Sequence, residues 1–505
     1  MPGRINRRDF LRIIGGAAAG MVLAPAGVAQ MREPGTTDGR RQMAKLTYRE
    51  LYCPAHFGNS YEVMWPNEME QVLAEAQHWG FNVYGDWFDT ADLKNPHNNP
   101  RGEYLLPHAL WERKLGHFRT AMGLGFATDL VTTPNHVFLD QLASDLLADT
   151  SDRRFFGQLL CPSKPAARDT ILRNHRDLFE DFRNGGVRLS SISGCPFDYG
   201  GCACAACRPW IVTFGKLFAE IHDAAKQFFP DIKARLIGWW WTREEHELFK
   251  RWADAEAAGR FASLAAHLPY GEVAPAPDLA LPEGCELHAF VHVGYADKAQ
   301  PRDVYGPWGP VAAATRIPAT ITALESAGVT GFMAYSEGVF DDVNKALLGG
   351  LSSGGLDDAR SVLAAYAERY FGASGADRNG WVEWLAEWGN PWEVDTAAAR
   401  RRFDGLSQRA QASWRLAQFE AKLRIFEAHA AVKARSQWDA QRLAAADRFF
   451  AERERLQRGI WGLGLVRHVL NQRYHQPDWF EEWQARRGAQ SDGAPQDVPS
   501  ETSGT

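Results

Sequence analysis

Several signatures are missing from this chain, and each absence removes a class of function. No G-x-G-x-x-G follows the first strand pattern, which argues against a dinucleotide-binding sheet. No H-E-x-x-H or equivalent ligand spacing occurs, so a catalytic metal is not indicated and no cofactor for catalysis is expected. There is no extended basic run, and the formal net charge is −6. An acidic chain of this kind is a poor partner for nucleic acid. Beyond the N-terminal segment no stretch is long and apolar enough to cross a bilayer, so the mature protein is not expected to span a membrane. No internal repeat is visible.

The two ends read as separate from the fold. Asn6-Arg7-Arg8-Asp9-Phe10-Leu11-Arg12 is a twin-arginine pattern, followed by a weakly apolar stretch rich in Gly and Ala. Residues 1–29 therefore read as a Tat export signal, with small residues for cleavage near Ala26 or Ala29. The Tat machinery is then a partner, and the address is periplasmic or secreted. An uncleaved anchor is the alternative, disfavoured by the length and glycine content. Residues 485–505 lack apolar periodicity and are expected to be a disordered tail.

Between these ends, strand and helix patterns alternate. Strands are expected at Leu46–Cys53, Phe81–Phe88, Phe126–Thr133, Val187–Ser193, Ala234–Trp241, Phe261–Leu268, Glu286–Gly294 and Gly331–Ser336. Amphipathic helices are expected between most of them, with the pattern least clear at the sixth unit. Repeated βα units with short loops imply parallel strands, and eight of them imply a (β/α)₈ barrel over residues 46–351. A doubly wound open sheet is the alternative. From 352 to 484 the strands stop, and helices are expected at Asp357–Phe371, Val382–Trp388, Asp395–Ala430 and Ser436–Val469.

In such a barrel the chemistry gathers at the C-terminal tips of the strands. Those tips offer His56, Asn59, Asp86, Trp87, Asp89, Asn135, His136, Asp198, Tyr199, Trp239, Trp240, Glu244, Glu245, His267, Tyr270, His292, Tyr295, Tyr335, Glu337 and Asp341. Carboxylates flanked by aromatic platforms suit glycoside cleavage, in which one acid protonates the leaving oxygen and a second carboxylate activates water or attacks carbon. The chain has 19 Trp, and Trp and Tyr stack well on sugar faces, although many must serve the core. Asp198 is the candidate general acid, Glu337 the candidate second carboxylate and Glu245 the reserve. Asp86, Trp87, His136, Tyr199, Trp240, His292 and Tyr335 are candidate sugar contacts. Helix capping competes for several of these. Asp341-Asp342 precedes an apolar helical run and reads as a cap, and Glu244 and Glu245 open a helix.

The cysteines number seven, so they cannot all pair within the chain. Cys195, Cys202, Cys204 and Cys207 lie close enough in sequence to hold a structural zinc or to form disulfides. Either would pin the loop that carries Asp198.

The segments MWPNEMEQVLAEAQHWGFNVYGDWF, LCPSKPAARD, FDYGGCACAACRPW, AYSEGVFDDVNKALLGGL and LAAYAERYFG carry a resemblance. Over about Leu46–Gly372 the chain resembles barrel glycoside hydrolases of the group that includes the family 20 and family 84 hexosaminidases and the family 67 α-glucuronidases. It looks closest to bacterial relatives within that group. The resemblance implies a hydrolase acting on a poly- or oligosaccharide, with Asp198 as an active-site carboxylate and Glu337 as a pocket residue. Family 20 enzymes carry adjacent Asp-Glu at the tip of strand four, where the Asp orients the acetamido group. This chain reads Asp198-Tyr199 there, so substrate-assisted cleavage does not carry over. The rival readings are a carbohydrate-binding barrel without catalysis, and a Tat-exported metalloprotein or oxidoreductase.

Overall fold

The computed structural model describes residues 46–55, 59–87, 94–98, 106–298, 306–458 and 475–491. The expected signal segment 1–29, His56, Asp89 and residues 492–505 lie outside them.

Eight parallel strands close into a barrel in chain order. They are β1 Tyr48–Tyr52, β2 Val83–Trp87, β3 Ala127–Thr132, β4 Ser191–Gly194, β5 Lys233–Gly238, β6 Phe261–His267, β7 Glu286–His292 and β8 Gly331–Tyr335. Closure runs through β1 and β8, with Tyr48 opposite Gly331 and Tyr52 opposite Tyr335. Side chains alternate strictly between two cores, as a period of two demands. Leu51, Leu130, Ile192, Leu236, Leu264 and Phe332 face outward into the large core under the helices. Their neighbours Tyr52, Val131, Ile237, Ala265, Phe290 and Met333 form a separate cluster inside the barrel.

Seven helices wrap the strands: α1 Pro66–His78, α2 Leu106–Gly123, α3 Pro165–Asn184, α4 Trp210–Lys226, α5 Arg243–Glu256, α6 Arg316–Ser326 and α7 Asp342–Ser352. No helix joins β6 to β7. That connection carries Pro269, Pro275, Pro277 and Pro282, each lacking the N–H a helix needs, which is why the sixth unit reads poorly. The barrel is thus the (β/α)₈ fold expected, with one connecting helix replaced by a loop.

Three of the boundaries that differ from the sequence reading have a clear local cause. β4 begins at Ser191 rather than Val187, because Val187 N–H donates to Phe182 O at the end of α3 and not to a strand. β5 ends at Gly238, and Trp240 takes a left-handed conformation (φ 59°). The helix expected over Asp395–Ala430 is two helices, α10 and α11 below, each with its own cap.

The C-terminal region contains α8 Ala359–Phe371, α9 Gly375–Glu387, α10 Thr396–Ser407, α11 Trp414–Lys433, α12 Ala440–Arg458 and α13 Phe480–Ser491. Asp395 accepts from Ala398 N–H at 3.0 Å and Ser413 Oγ from Leu416 N–H at 3.2 Å, starting α10 and α11 separately. α13 continues to Ser491, past Ala485 where a tail was expected. Its Trp483 lies 4.1 Å, centroid to centroid, from Phe450 on α12. Much of the tryptophan is spent here, since Trp381, Trp384 and Trp388 are fully buried. The region docks on the barrel flank: Arg369 grips Glu75 of α1 at 2.7 and 2.9 Å, and Trp79 Nε1–H donates to Tyr370 OH at 2.9 Å. None of the described helices is long and apolar enough to cross a membrane.

Candidate active site

The inner row of each strand can be followed in steps of two, from the floor of the barrel to its mouth. The floor is polar: Glu50, Asp129, Arg235, Ser263 and His288 lie two residues before the apolar inner cluster. Tyr48 OH donates to Glu50 at 2.9 Å and Arg235 donates to Ser263 Oγ at 2.7 Å, while Ser191 Oγ donates to Asp129. Two residues beyond the apolar layer the row turns polar again, with Trp239, His267, His292 and Tyr335.

At this upper level the rings form an unbroken arc. Tyr199 lies 5.3 Å from Phe156, Phe156 lies 6.4 Å from Trp240, and Trp240 lies 5.5 Å from Trp239. Trp239 lies 5.1 Å from His292, which lies 5.5 Å from Tyr335. Tyr335 OH donates to Glu337, and Asn59 Nδ2 donates to the other Glu337 oxygen at 3.4 Å. Glu337 is 8 % exposed, so these donors are set in a largely dry wall. At the opposite end of the arc, Tyr199 also contacts Trp87 at 5.3 Å and His136 at 5.2 Å. The arc thus brings together Trp87, His136, Tyr199, Trp240, His292, Tyr335 and Glu337 from the candidate set.

Asp198 precedes Tyr199 on a tight turn after β4. Both are left-handed (φ 53° and 41°), a conformation that costs energy in any side chain larger than glycine and clusters at functional sites. The next residues explain how the turn is possible. Gly201 (φ 128°) passes against the Phe155 ring so closely that a Cβ would stand 2.1 Å from it. Asn135 fastens the turn by donating to Gly201 O at 2.9 Å and accepting from Gly201 N–H at 3.1 Å.

The mouth histidines are held neutral. Burial lowers His267 to about 4 and His136 to about 3. His292 is lowered by burial, then by His267 and Arg316, and its Nε2 lies 3.3 Å from that of His267. Neutral imidazoles can donate to and accept from hydroxyls without adding charge to the pocket. Trp240, Phe156 and Tyr270 remain 37 %, 39 % and 44 % exposed at the rim.

Three candidate residues stand elsewhere. Asp86 sits on the outward row of β2 and is fully buried. It accepts from Ala55 N–H at 3.0 Å, Trp87 N–H at 2.7 Å, Tyr84 OH at 3.3 Å and Lys114 at 2.8 Å, so its oxygens are committed to the fold. Glu245 closes a capping box with Thr242 and takes a bidentate grip from Arg154 at 2.8 Å on both oxygens. Cys195 lies in the inner barrel cluster and donates to Phe197 O at 3.2 Å, apart from the other thiols. Cys161 takes the place it was given, joining Cys202, Cys204 and Cys207. Asp341 pairs with Lys345 at 2.6 Å instead of capping with its side chain.

Two rim residues escape the sequence reading. Arg154 donates to Trp240 O at 2.9 Å, lies over the Phe197 ring and holds Glu245, tying the β3–α3 connection to the β5 tip. Phe156 bridges Tyr199 and Trp240. Both fall in a long connection without regular periodicity, where only the paired Phe155-Phe156 among polar neighbours hints at a surface role.

No known family model matches the chain, and no curated protein does either. Solved structures share its fold. A family 89 glycoside hydrolase from Clostridium perfringens, bound to its substrate GlcNAc-α-1,4-galactose, has a TM-score of 0.50 at 12 % identity, covering 82 % of this chain and 53 % of that one. This chain therefore spans about half that enzyme's length. An O-GlcNAc hydrolase from Thermobaculum terrenum scores 0.45 at 11 % identity, covering 88 % and 98 %. A family 20 β-N-acetylglucosaminidase scores 0.40 at 12 % identity, covering 61 % and 69 %. These structural neighbours are glycoside hydrolases; at 12 % identity the likeness to the family 89 enzyme speaks for the fold alone, and nothing is argued from the two that score lower.

Proposed function

We propose that this protein is a glycoside hydrolase acting on a poly- or oligosaccharide. The observation that carries the proposal is the arc of rings at the barrel mouth, which begins beside Asp198 and ends on the buried Glu337. Exposed aromatic rings beside carboxylates fit a sugar chain lying across the mouth. Asp198 is the general acid that protonates the departing glycosidic oxygen, and Glu337 is the carboxylate that serves the anomeric carbon, either by attack or by activating water. Tyr335 and Asn59 orient Glu337 by donating to it, and the neutral His136 and His292 hold hydroxyls.

The protein works outside the cytoplasm, after Tat export directed by Arg7 and Arg8. Arg7→Lys with Arg8→Lys is expected to leave it in the cytoplasm, and normal export of that variant would remove this part of the proposal. The activity itself is tested by offering purified protein a panel of natural oligosaccharides and reading reducing ends released. Turnover abolished by Glu337→Gln supports the reading. Saturable binding with no turnover of any glycan would mean a binding barrel instead.

A further inference from the structure

We propose that Cys161, Cys202, Cys204 and Cys207 bind one structural zinc ion, which staples the β3–α3 connection to the β4–α4 loop at the barrel mouth. This inference is independent of the glycosidase reading.

The four Sγ atoms lie within 4.8 Å of one another. Cys161 Sγ is 3.6 Å from Cys202, 3.7 Å from Cys204 and 3.7 Å from Cys207. Four thiolates at the usual zinc–sulfur distance of about 2.3 Å occupy the corners of a tetrahedron whose edges are about 3.8 Å. The three edges that meet at Cys161 match that figure, and the others stay within 4.8 Å. A disulfide needs about 2.0 Å and selects one partner, whereas Cys161 is equally distant from all three neighbours. An iron–sulfur cluster spreads its cysteines more widely than this cage allows, so the cage fits a single ion.

The surroundings suit a dianionic tetrathiolate. Asp149 N–H donates to Cys202 Sγ at 3.4 Å, the kind of N–H···S contact that stabilises a metal-bound thiolate. Cys161 lies four residues before Pro165, the first residue of the 20-residue α3, and Cys207 three before Trp210, the first of the 17-residue α4. The N-termini of both helices, the positive ends of their dipoles, therefore follow within a few residues of the cage. Cys161, Cys202 and Cys207 are buried, so the sulfurs are shielded from exchange with solvent thiols.

The cage also explains an arrangement otherwise hard to hold. The β3–α3 connection contains no long helix or strand, yet it carries His136, Arg154 and Phe156. It meets the β4–α4 loop through Ala203 N–H to Asp149 O at 2.8 Å and the Phe156–Gly200 bridge. A metal at the cage crosslinks those two segments within a few residues of Asp198 and Tyr199, and so fixes the wall on which they stand.

The sequence spacing alone favours Cys195 as fourth ligand, and the geometry favours Cys161, so the two readings separate cleanly. Purified protein is expected to contain one equivalent of zinc by plasma mass spectrometry. Cys195→Ser should retain it, and Cys161→Ser should lose it by about tenfold or more. Should Cys161→Ser fail to fold, the wild type and Cys195→Ser decide, since loss of zinc from a folded Cys195→Ser would overturn the assignment. Organomercurial titration should release zinc in step with four thiols, and all seven cysteines should react after denaturation in chelator. Fewer than seven reactive thiols, iron in place of zinc, metal-free protein, or zinc retained in a folded Cys161→Ser would each overturn the proposal.

Discussion

The floor and the mouth of this barrel are both polar and both largely buried, and they differ in what their polar groups face. On the floor, Glu50, Asp129, Arg235 and His288 face one another beneath the apolar layer of Tyr52, Phe290 and Met333. At the mouth, His267, His292, Tyr335 and Glu337 lie above that layer, with exposed rings beside them. A buried carboxylate is therefore no sign of chemistry in itself. Its height along the strand decides, because only the C-terminal ends open onto loops that can admit a ligand.

The largest effect separating the two regions should be on turnover. Asp198→Asn keeps the side-chain shape and removes the acid. Activity on a natural glycoside is expected to fall roughly 10²–10⁴-fold. Aryl glycosides with good leaving groups should suffer less, because they need less protonation. The melting temperature should stay near that of wild type, since Asp198 belongs to the rim. Full activity in this variant would remove Asp198 from the mechanism.

The reverse pattern is expected below the rim. Asp86 and Lys114 form an ion pair at 2.8 Å, with the Asp86 side chain completely buried. Removing one partner strands the other charge, at a cost of about 3–5 kcal/mol. Asp86→Ala should therefore lower the denaturation midpoint severely, while the fraction that remains folded keeps its KM. A large change in KM with little loss of stability would return Asp86 to the sugar contacts.

Asp86 also marks where sequence reasoning stops. The strands, their order and the closed barrel were legible from periodicity, because parallel strands buried on both faces leave apolar runs between helices. Which polar residue at a strand tip points inward was not, because a shift of one residue changes the face. Asp86 and Trp87 are adjacent and were both assigned to the pocket, yet only Trp87 faces the barrel interior. Glu245 was recognisable as a helix opener, but its grip by Arg154 spans 91 residues and leaves no local trace. Cys161 was missed for the same reason: it stands far upstream of the C-x-C-x-x-C cluster it joins. Local rules read local geometry, and the site is assembled from distant segments.

A third measurement sets the two regions against each other by pH. Burial, with Asp129 nearby, holds the Glu50 carboxyl well above the ordinary range, and burial raises Asp129 as well. The folded state keeps protons there that the unfolded chain releases. These groups therefore lower stability as pH rises from about 4 toward their raised folded values. The mouth histidines act oppositely. Burial lowers His267 to about 4, so stability is lost as pH falls from the unfolded value, about 6.5, through the folded one. Denaturant titrations at a series of pH values should show Glu50→Gln losing less stability than wild type as pH rises. His267→Gln should lose less as pH falls. Identical pH profiles for both variants and wild type would mean that neither group shifts on folding.

The smallest effect belongs to the rim platform, and it tests whether the exposed rings belong to the site at all. Trp240 is 37 % exposed, stacks on Trp239 at an interplanar angle of 25° and holds a left-handed backbone. Arg154 fixes it by donating to Trp240 O. Nothing in the apolar core depends on that ring, so Trp240→Ala should fold normally. A lost aromatic stacking contact is worth about 0.5–1.5 kcal/mol, which corresponds to a rise in KM of roughly 2- to 12-fold. A ring that binds a sugar unit remote from the cleaved bond helps substrate and transition state alike, so kcat should hold while KM rises. The effect should grow with chain length, because a short glycan cannot reach both the rim and the carboxylates. Arg154→Lys should imitate part of it, since the lysine cannot grip Glu245 in the same bidentate way and would loosen Trp240. An equal KM for Trp240→Ala and wild type on every chain length would detach the rim from the mouth and confine the site to the inner groups from Trp239 through His292 and Tyr335 to Glu337.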